Sequence, residues 1–306
     1  MNTIMYLFLS ARPKQWIKNL AVFIPILFWG FLFIPDKFFV VSLGFLIFCG
    51  LTSSVYLLND YSDRAHDALH PGKKNRPIAS GKLNPTTALL VSIGLAVASL
   101  LFAYILSEYF FIVSLVYILL MTAYSLYLRN IIIIDALVVA FGFVLRVFAG
   151  AFVSETPISS WLIICTIGIA LLISFGRRRC EVTLLKSKAP DHRLTLRRYP
   201  EVYLDVIIAS VTAFSLLSYA FFTFVYPGAE IIREPWIYTY LPATWQSLKW
   251  LMFTIPVTLY GVLRYLFIIY EKREADSPEE AVFNDKPLLT SLLIWTFIVI
   301  LVIYVL

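Results

Sequence analysis

Residues 38 to 67 read FFVVSLGFLIFCGLTSSVYLLNDYSDRAHD. From 38 to 58 no side chain is charged, and that length suits an α-helix crossing the ~30 Å hydrocarbon core of a bilayer. The run then ends in Asn59, Asp60, Asp63 and Asp67. If the helix continues, Asn59, Asp63 and Asp67 recur at i, i+4 and i+8 and share one face, with Asp60 beside them. Three carboxylates so close repel one another unless a cation or cationic side chains neutralise them, and near lipid the repulsion is poorly screened. Hard oxygen ligands in this arrangement suit Mg2+ shared with a diphosphate. The other reading is a helix ending in water with solvated carboxylates, against which stands the usual functional role of ionisable clusters at membrane depth.

The rest of the chain extends this pattern. Of its 306 residues 60% are hydrophobic and 14% charged, with mean hydropathy +0.83, so much of its surface must face lipid. Apolar stretches near 17 to 34, 38 to 58, 86 to 107, 110 to 128, 131 to 153, 160 to 176, 202 to 225, 249 to 270 and 287 to 306 predict an all-α, polytopic bundle of about nine transmembrane helices. Short breaks such as Pro35-Asp36-Lys37, His70-Pro71-Gly72, Asn84-Pro85 and Pro227-Gly228 predict antiparallel neighbours in one integral membrane domain covering 1–306. Arg12, Lys14 and Lys18 precede the first apolar run, which reads as a retained span. Cys49, Cys165 and Cys180 are isolated in or beside apolar segments and read as small core residues.

Lys and Arg set the orientation. With the N-terminus in the cytoplasm, the segments at 1 to 16, 59 to 85, 129 to 130, 177 to 201 and 271 to 286 hold nearly all the loop cations, and the opposite loops offer only Lys37, Arg233 and Lys249. A cell inner (plasma) membrane protein follows, with the acidic cluster on its cytoplasmic face and active-site loops expected near 59–85 and 177–201. The segment after the sixth span begins Gly176-Arg177-Arg178-Arg179-Cys180-Glu181 and continues through Lys186, Lys188, Arg193, Arg197 and Arg198. Attraction to an anionic leaflet accounts for the distal cations, but less well for Arg177 and Arg178 at the span end. Arg146 lies inside the fifth apolar run, too deep for comfortable snorkelling, and calls for a buried anion.

The Asn59-x3-Asp63-x3-Asp67 pattern resembles the first signature of the UbiA-type intramembrane prenyltransferases. Arg12-Pro13-Lys14-Gln15-Trp16-Ile17-Lys18-Asn19, the run from His70 to Gly81, Gly142-Phe143-Val144-Leu145-Arg146, Arg264-Tyr265-Leu266 and Ser277-Pro278-Glu279-Glu280 are similar to one branch, the decaprenyl-phosphate phosphoribosyltransferases. Where the wider superfamily carries a second Asp-rich signature, this chain has Gly176-Arg177-Arg178-Arg179-Cys180-Glu181, poor for a second Mg2+ cluster but suited to phosphate, which guanidinium groups bind in bidentate fashion.

The resemblance implies transfer of 5-phosphoribose from phosphoribosyl diphosphate to a polyprenyl (decaprenyl) phosphate, with release of diphosphate. It implies Mg2+ held by Asn59, Asp60, Asp63 and Asp67, with the three aspartates catalytic. Candidates for phosphate binding are Lys14, Lys18, Lys73, Arg76, Tyr124, Arg129, Arg146, Arg177 and Arg178. Glu181 is open between binding the metal, orienting a ribose hydroxyl and neutralising the arginines. His66 and His70 bracket Asp67 at zinc-capable spacing but lack a further Cys or His cluster. Nothing in the sequence points to nucleic acid. A UbiA-type enzyme joining a prenyl diphosphate to an aromatic or glycerol-phosphate acceptor, and a transporter or lipid-binding bundle, are the competing readings.

Overall fold

The computed structural model describes residues 3–69, 73–187, 199–226, 249–272 and 284–305. The His70-Pro71-Gly72 turn, the distal cations Lys188, Arg193, Arg197 and Arg198, the Pro227-Gly228 break, Arg233 and the Ser277 to Glu280 run lie outside these. Every regular element among the described residues is helical. Eight helices there are long and apolar enough to cross a membrane. They display large apolar side chains outward, among them Leu101, Leu119, Leu217 and Phe297, an arrangement that water would oppose and lipid accepts. The chain is an all-α, multi-pass membrane protein.

Its residues fall into two compact units. The first covers Met1–Pro25, Ile34–Val138 and Leu145–Thr156. It contains α1 (Thr3–Ser10), a 3-10 helix (Pro13–Phe23), α3 (Pro35–Ser62), α4 (Arg64–Leu69), α5 (Pro85–Leu106), α6 (Glu108–Leu126) and most of α7 (Ile134–Ser154). Here α3 is the hub, packing against the 3-10 helix, α5 and α6. Pro35 opens α3 at a position where the missing N–H costs nothing, and Asp36 complements the helix dipole in the first turn. Asn84 caps α5 by accepting from the Thr86 amide at 2.8 Å, again with Pro at the first turn. At the far end of α7, Lys37 Nζ donates to the Ser154 carbonyl at 2.6 Å, satisfying one of the acceptors a helix end leaves open. A Cβ at Gly150 would collide with the Val22 carbonyl, so glycine lets the 3-10 helix lie directly against α7.

The second unit covers Ile26–Phe33, Val139–Val144 and Pro157–Leu306. Within it α8 (Ser160–Ser187) packs along α9 (Glu201–Val225), and α10 (Ile255–Phe267) packs along α11 (Lys286–Tyr304). Arg264 and Asp285 form a bidentate pair at 3.0 and 2.8 Å, while the same Asp285 caps α11 through the Leu288 amide. Tyr219 joins three elements by its hydroxyl, 2.5 Å from Thr254 Oγ1 and accepting from Trp295 Nε1 at 2.7 Å.

Two expectations need correction. The stretch 17–34 is not one continuous α-helix: it is the 3-10 helix, then the short α2 (Ile24–Phe28), then a turn in which Gly30 is left-handed at φ 70°. Pro25 cannot donate to a continuing α-helical ladder, and Asn19 is drawn into buried hydrogen bonds of its own. The residues from Arg177 to Glu181 are not loop either, because α8 runs on to Ser187. No proline interrupts that segment, its Arg, Glu and Leu residues favour helix, and Glu181 pairs with arginines three and four residues earlier.

Candidate active site

The helix α3 ends at Ser62, and Asp63 forms its cap rather than a mid-helix residue. The expected spacing nevertheless survives: the Asp63 amide donates to the Asn59 carbonyl at 2.9 Å and the Asp67 amide to the Asp63 carbonyl at 2.8 Å. All three carboxylates are buried, Asp60 and Asp67 to 3% exposure.

Arginines neutralise them. Asp60 Oδ1 accepts from Arg12 Nη2 at 2.5 Å and from Arg76 Nη1 at 3.1 Å. The same Arg76 nitrogen reaches Asp67 Oδ2 at 2.6 Å. Arg129 engages Asp63 through both terminal nitrogens at 2.6 Å and the Asn59 side-chain oxygen at 3.2 Å. Three guanidiniums thus cancel three carboxylates, the outcome that close-set acids require in a poorly screened site. The Asp63 hydrogen bond holds the Arg129 guanidinium above its ordinary pKa against partial desolvation, and the charges of Asp63 and Asp67 add to the effect. Arg129 therefore stays a cation.

Each arginine is placed by ordinary packing. Arg76 sits in a turn closed by its own amide on the Lys73 carbonyl at 2.9 Å, and Ile78 and Leu83 anchor that segment beside Leu57, two residues before Asn59. Arg129 follows the end of α6, where Tyr124 is half-buried. Arg12 lies between α1 and the 3-10 helix, in the left-handed backbone region at φ 55°. Its neighbourhood is tied to α3 because Trp16 Nε1 donates to Ser53 Oγ at 3.0 Å and that hydroxyl donates to the Ala11 carbonyl. The guanidinium also lies over the Tyr56 ring at 4.8 Å.

The remaining candidates each have their own surroundings. Lys14 is exposed on the 3-10 helix, Lys18 donates to Gln15 at 2.7 Å, and Lys73 is half-buried at the start of the Arg76 turn. His66 is exposed on α4 while Asp67 beside it is buried. Arg146, for which a buried anion was expected, donates to the Asn19 side-chain oxygen and to the Tyr117 hydroxyl, both at 2.8 Å, with its guanidinium 4.9 Å from the Tyr117 ring centre. Thr52 and Cys49 extend this buried network through Asn19. On α8, Arg177 Nε donates to Glu181 Oε1 at 3.1 Å and Arg178 pairs with Glu181 Oε2, so one carboxylate serves two arginines. Arg179 turns the other way, to Asp205 at 2.7 Å and Glu201 at 3.7 Å on α9.

Arg12, Asn19 and Tyr117 were given no site role by sequence reasoning. The signal for Arg12 was the charge sum: three acids at a span end demand cations, and Arg12 is the first arginine of the chain.

An all-helical membrane protein with buried acids and guanidiniums gathered at the end of a span has the outline of a membrane-embedded transferase. Residues 20–284 match the UbiA prenyltransferase family, and the chain belongs to it. It is 31% identical to the decaprenyl-phosphate phosphoribosyltransferase of Mycolicibacterium smegmatis, over 96% of this chain and 91% of that protein. With the enzyme of the same name from Corynebacterium glutamicum it shares 27% identity over 97% and 86%. The solved structure of a UbiA homolog from Archaeoglobus fulgidus bound to GPP and Mg2+ superposes with TM-score 0.68 over 99% of each chain at 19% identity, a likeness of fold.

Proposed function

We propose that the chain is a decaprenyl-phosphate phosphoribosyltransferase: it moves 5-phosphoribose from phosphoribosyl diphosphate onto a polyprenyl phosphate, releasing diphosphate. The observation that carries the reading is that the chain holds one acidic signature and two phosphate-compatible arginine sets. Arg12, Arg76 and Arg129 stand at Asp60, Asp63 and Asp67, and α8 bears Arg177 and Arg178 where the superfamily's second acidic motif would fall. Near-full-length similarity to two enzymes of that name supports it.

The donor set fits magnesium by chemistry: three carboxylates and the Asn59 amide oxygen are hard oxygen ligands, at backbone spacings that keep them within about two helical turns. Among the described residues no three acids, histidines or cysteines are gathered around one cation position, and each of the three carboxylates is engaged by a guanidinium. Asn59, Asp60, Asp63 and Asp67 would hold the ion. Bound there, Mg2+ supplies charge neutralisation for a departing diphosphate.

The protein's own groups do the rest. Arg12, Arg76 and Arg129 bind diphosphate oxygens and stabilise the charge that develops as the bond to the anomeric carbon lengthens. Lys73 in the Arg76 turn and Tyr124 at the end of α6 assist on the phosphates. Arg177 and Arg178, oriented by Glu181, take a phosphate group. The acceptor oxygen of a lipid phosphate is already anionic at neutral pH, so no strong general base is required, and positioning supplies most of the rate. Attack opposite the leaving diphosphate inverts the anomeric centre. The Lys and Arg bias puts the N-terminus and this chemistry on the cytoplasmic side of the inner membrane.

The test is incubation of purified protein with Mg2+, phosphoribosyl diphosphate and decaprenyl phosphate, followed by mass spectrometry of the lipid. A lipid-linked phosphoribose is expected. Prenylation of an aromatic or glycerol-phosphate acceptor instead would move the chain to the other branch of its family.

A further inference from the structure

We propose that Arg12, Arg76 and Arg129 form a guanidinium latch that holds the acidic helix end shut against a bare metal ion, so that divalent cation and diphosphate are taken up only together. This rests on the reading that a metal-bound diphosphate binds at Asp60, Asp63 and Asp67.

The latch is a run of alternating charges. Arg12 binds Asp60, Asp60 binds Arg76, and Arg76 binds Asp67, while Arg129 closes on Asp63 and Asn59. A divalent cation arriving alone must displace guanidiniums from the carboxylates and leave them beside it, cation against cation in a partly desolvated site. A diphosphate arriving alone meets carboxylates that already hold the arginines. When both arrive, the carboxylates pass to the metal and the guanidiniums to phosphate oxygens, so every charge keeps an opposite partner. Guanidinium suits this exchange because its planar fork matches carboxylate and phosphate alike.

Arg12 makes the sparest contact of the three. It sits at the junction of α1 and the 3-10 helix rather than inside a helix, with a left-handed backbone uncommon for a residue with a Cβ. Arg76 and Arg129 each span two side chains; Arg12 holds one carboxylate oxygen and rests on the Tyr56 ring.

The experiment uses the full chain in lipid nanodiscs, with Mn2+ and inorganic diphosphate as probes and bound Mn2+ read by electron paramagnetic resonance at matched free Mn2+. In the wild type, saturating diphosphate is expected to tighten Mn2+ binding by about 5- to 150-fold, the range of ordinary coupling between sites. Arg12→Gly removes the guanidinium and relieves the left-handed backbone, so the fold is preserved. It should bind Mn2+ alone more tightly than the wild type and show a smaller diphosphate enhancement, and Arg12→Lys should lie between the two. Equal Mn2+ affinity with and without diphosphate in the wild type overturns the latch, as does weaker binding of Mn2+ alone by Arg12→Gly. Neither phosphoribosyl diphosphate nor a lipid phosphate enters the assay, so failure of phosphoribosyl transfer leaves its result intact, and successful transfer without coupling removes the latch alone.

Discussion

Arg129 holds Asp63 with both teeth of its guanidinium fork: Nη1 meets Oδ2 and Nη2 meets Oδ1, each at 2.6 Å. The pair joins the end of α6 to the end of α3 at the residue that caps α3, so one contact fixes both the helix end and the acidic cluster. Bidentate geometry of this kind adds direction to charge, which a lysine at 129 would not reproduce.

Asp63→Asn keeps the shape and removes the charge. Turnover should fall by about 100-fold or more, as expected when a group that organises transition-state charge is lost. The protein should still insert into membranes and elute as the wild type does. The check is diphosphate release alongside size-exclusion chromatography, and near-normal turnover would remove Asp63 from the metal set.

Arg177 and Arg178 share Glu181 but differ in burial: their side chains are 43% and 5% exposed. Arg177→Ala should raise KM for a phosphorylated substrate by about 10-fold, the equivalent of one charge-assisted hydrogen bond, with little change in melting temperature. Arg178→Ala should lower both affinity and stability, because it leaves Glu181 short of its buried partner. Unchanged kinetics in Arg177→Ala would return that residue to surface charge.

Arg179 belongs to a different part of the mechanics. Its contacts with Asp205 and Glu201 tie α8 to α9, and the guanidinium lies over Tyr270 at 5.5 Å. Since Asp205 is 40% exposed, Arg179→Ala should cost only about 1 kcal/mol in stability and leave substrate KM values alone. A large KM change with an unchanged melting curve would reassign Arg179 to the phosphate set.

Tyr117→Phe tests the network around Arg146. The substitution keeps the ring under the guanidinium and removes the hydroxyl that accepts from Nη2. A loss of about 1–3 kcal/mol in thermal or denaturant unfolding is expected for a hydrogen bond from a charged donor, with phosphoribosyl diphosphate KM unchanged. A rise in KM without loss of stability would tie Arg146 to substrate.

The fold was largely legible because apolar length alone marks a span. Eight of the nine stretches are long helices, two of them starting where Pro35 and Pro85 put them. The ninth, 17–34, is helical too but not one α-helix, a difference that hydropathy does not register: the residues up to Phe23 are 3-10, Ile24–Phe28 are α-helical and Gly30 then turns the chain. The acidic cluster was legible as well, down to its need for neutralisation. Which cations supply it was not, since Arg12 and Arg129 reach Asp60 and Asp63 from 48 and 66 residues away in sequence, a proximity that only packing creates. The same limit applies to Arg179, which sits in the same basic run as Arg177 and Arg178 yet turns to α9.

A competition in one preparation decides the identity of the donor. Protein in nanodiscs with Mg2+ is given phosphoribosyl diphosphate and geranyl diphosphate together, with decaprenyl phosphate and an aromatic acceptor both present, and products are quantified by mass spectrometry. Lipid-linked 5-phosphoribose and diphosphate are expected in equal amounts, both lost in Asp63→Asn. A prenylated acceptor with phosphoribosyl diphosphate left unconsumed would contradict that donor assignment.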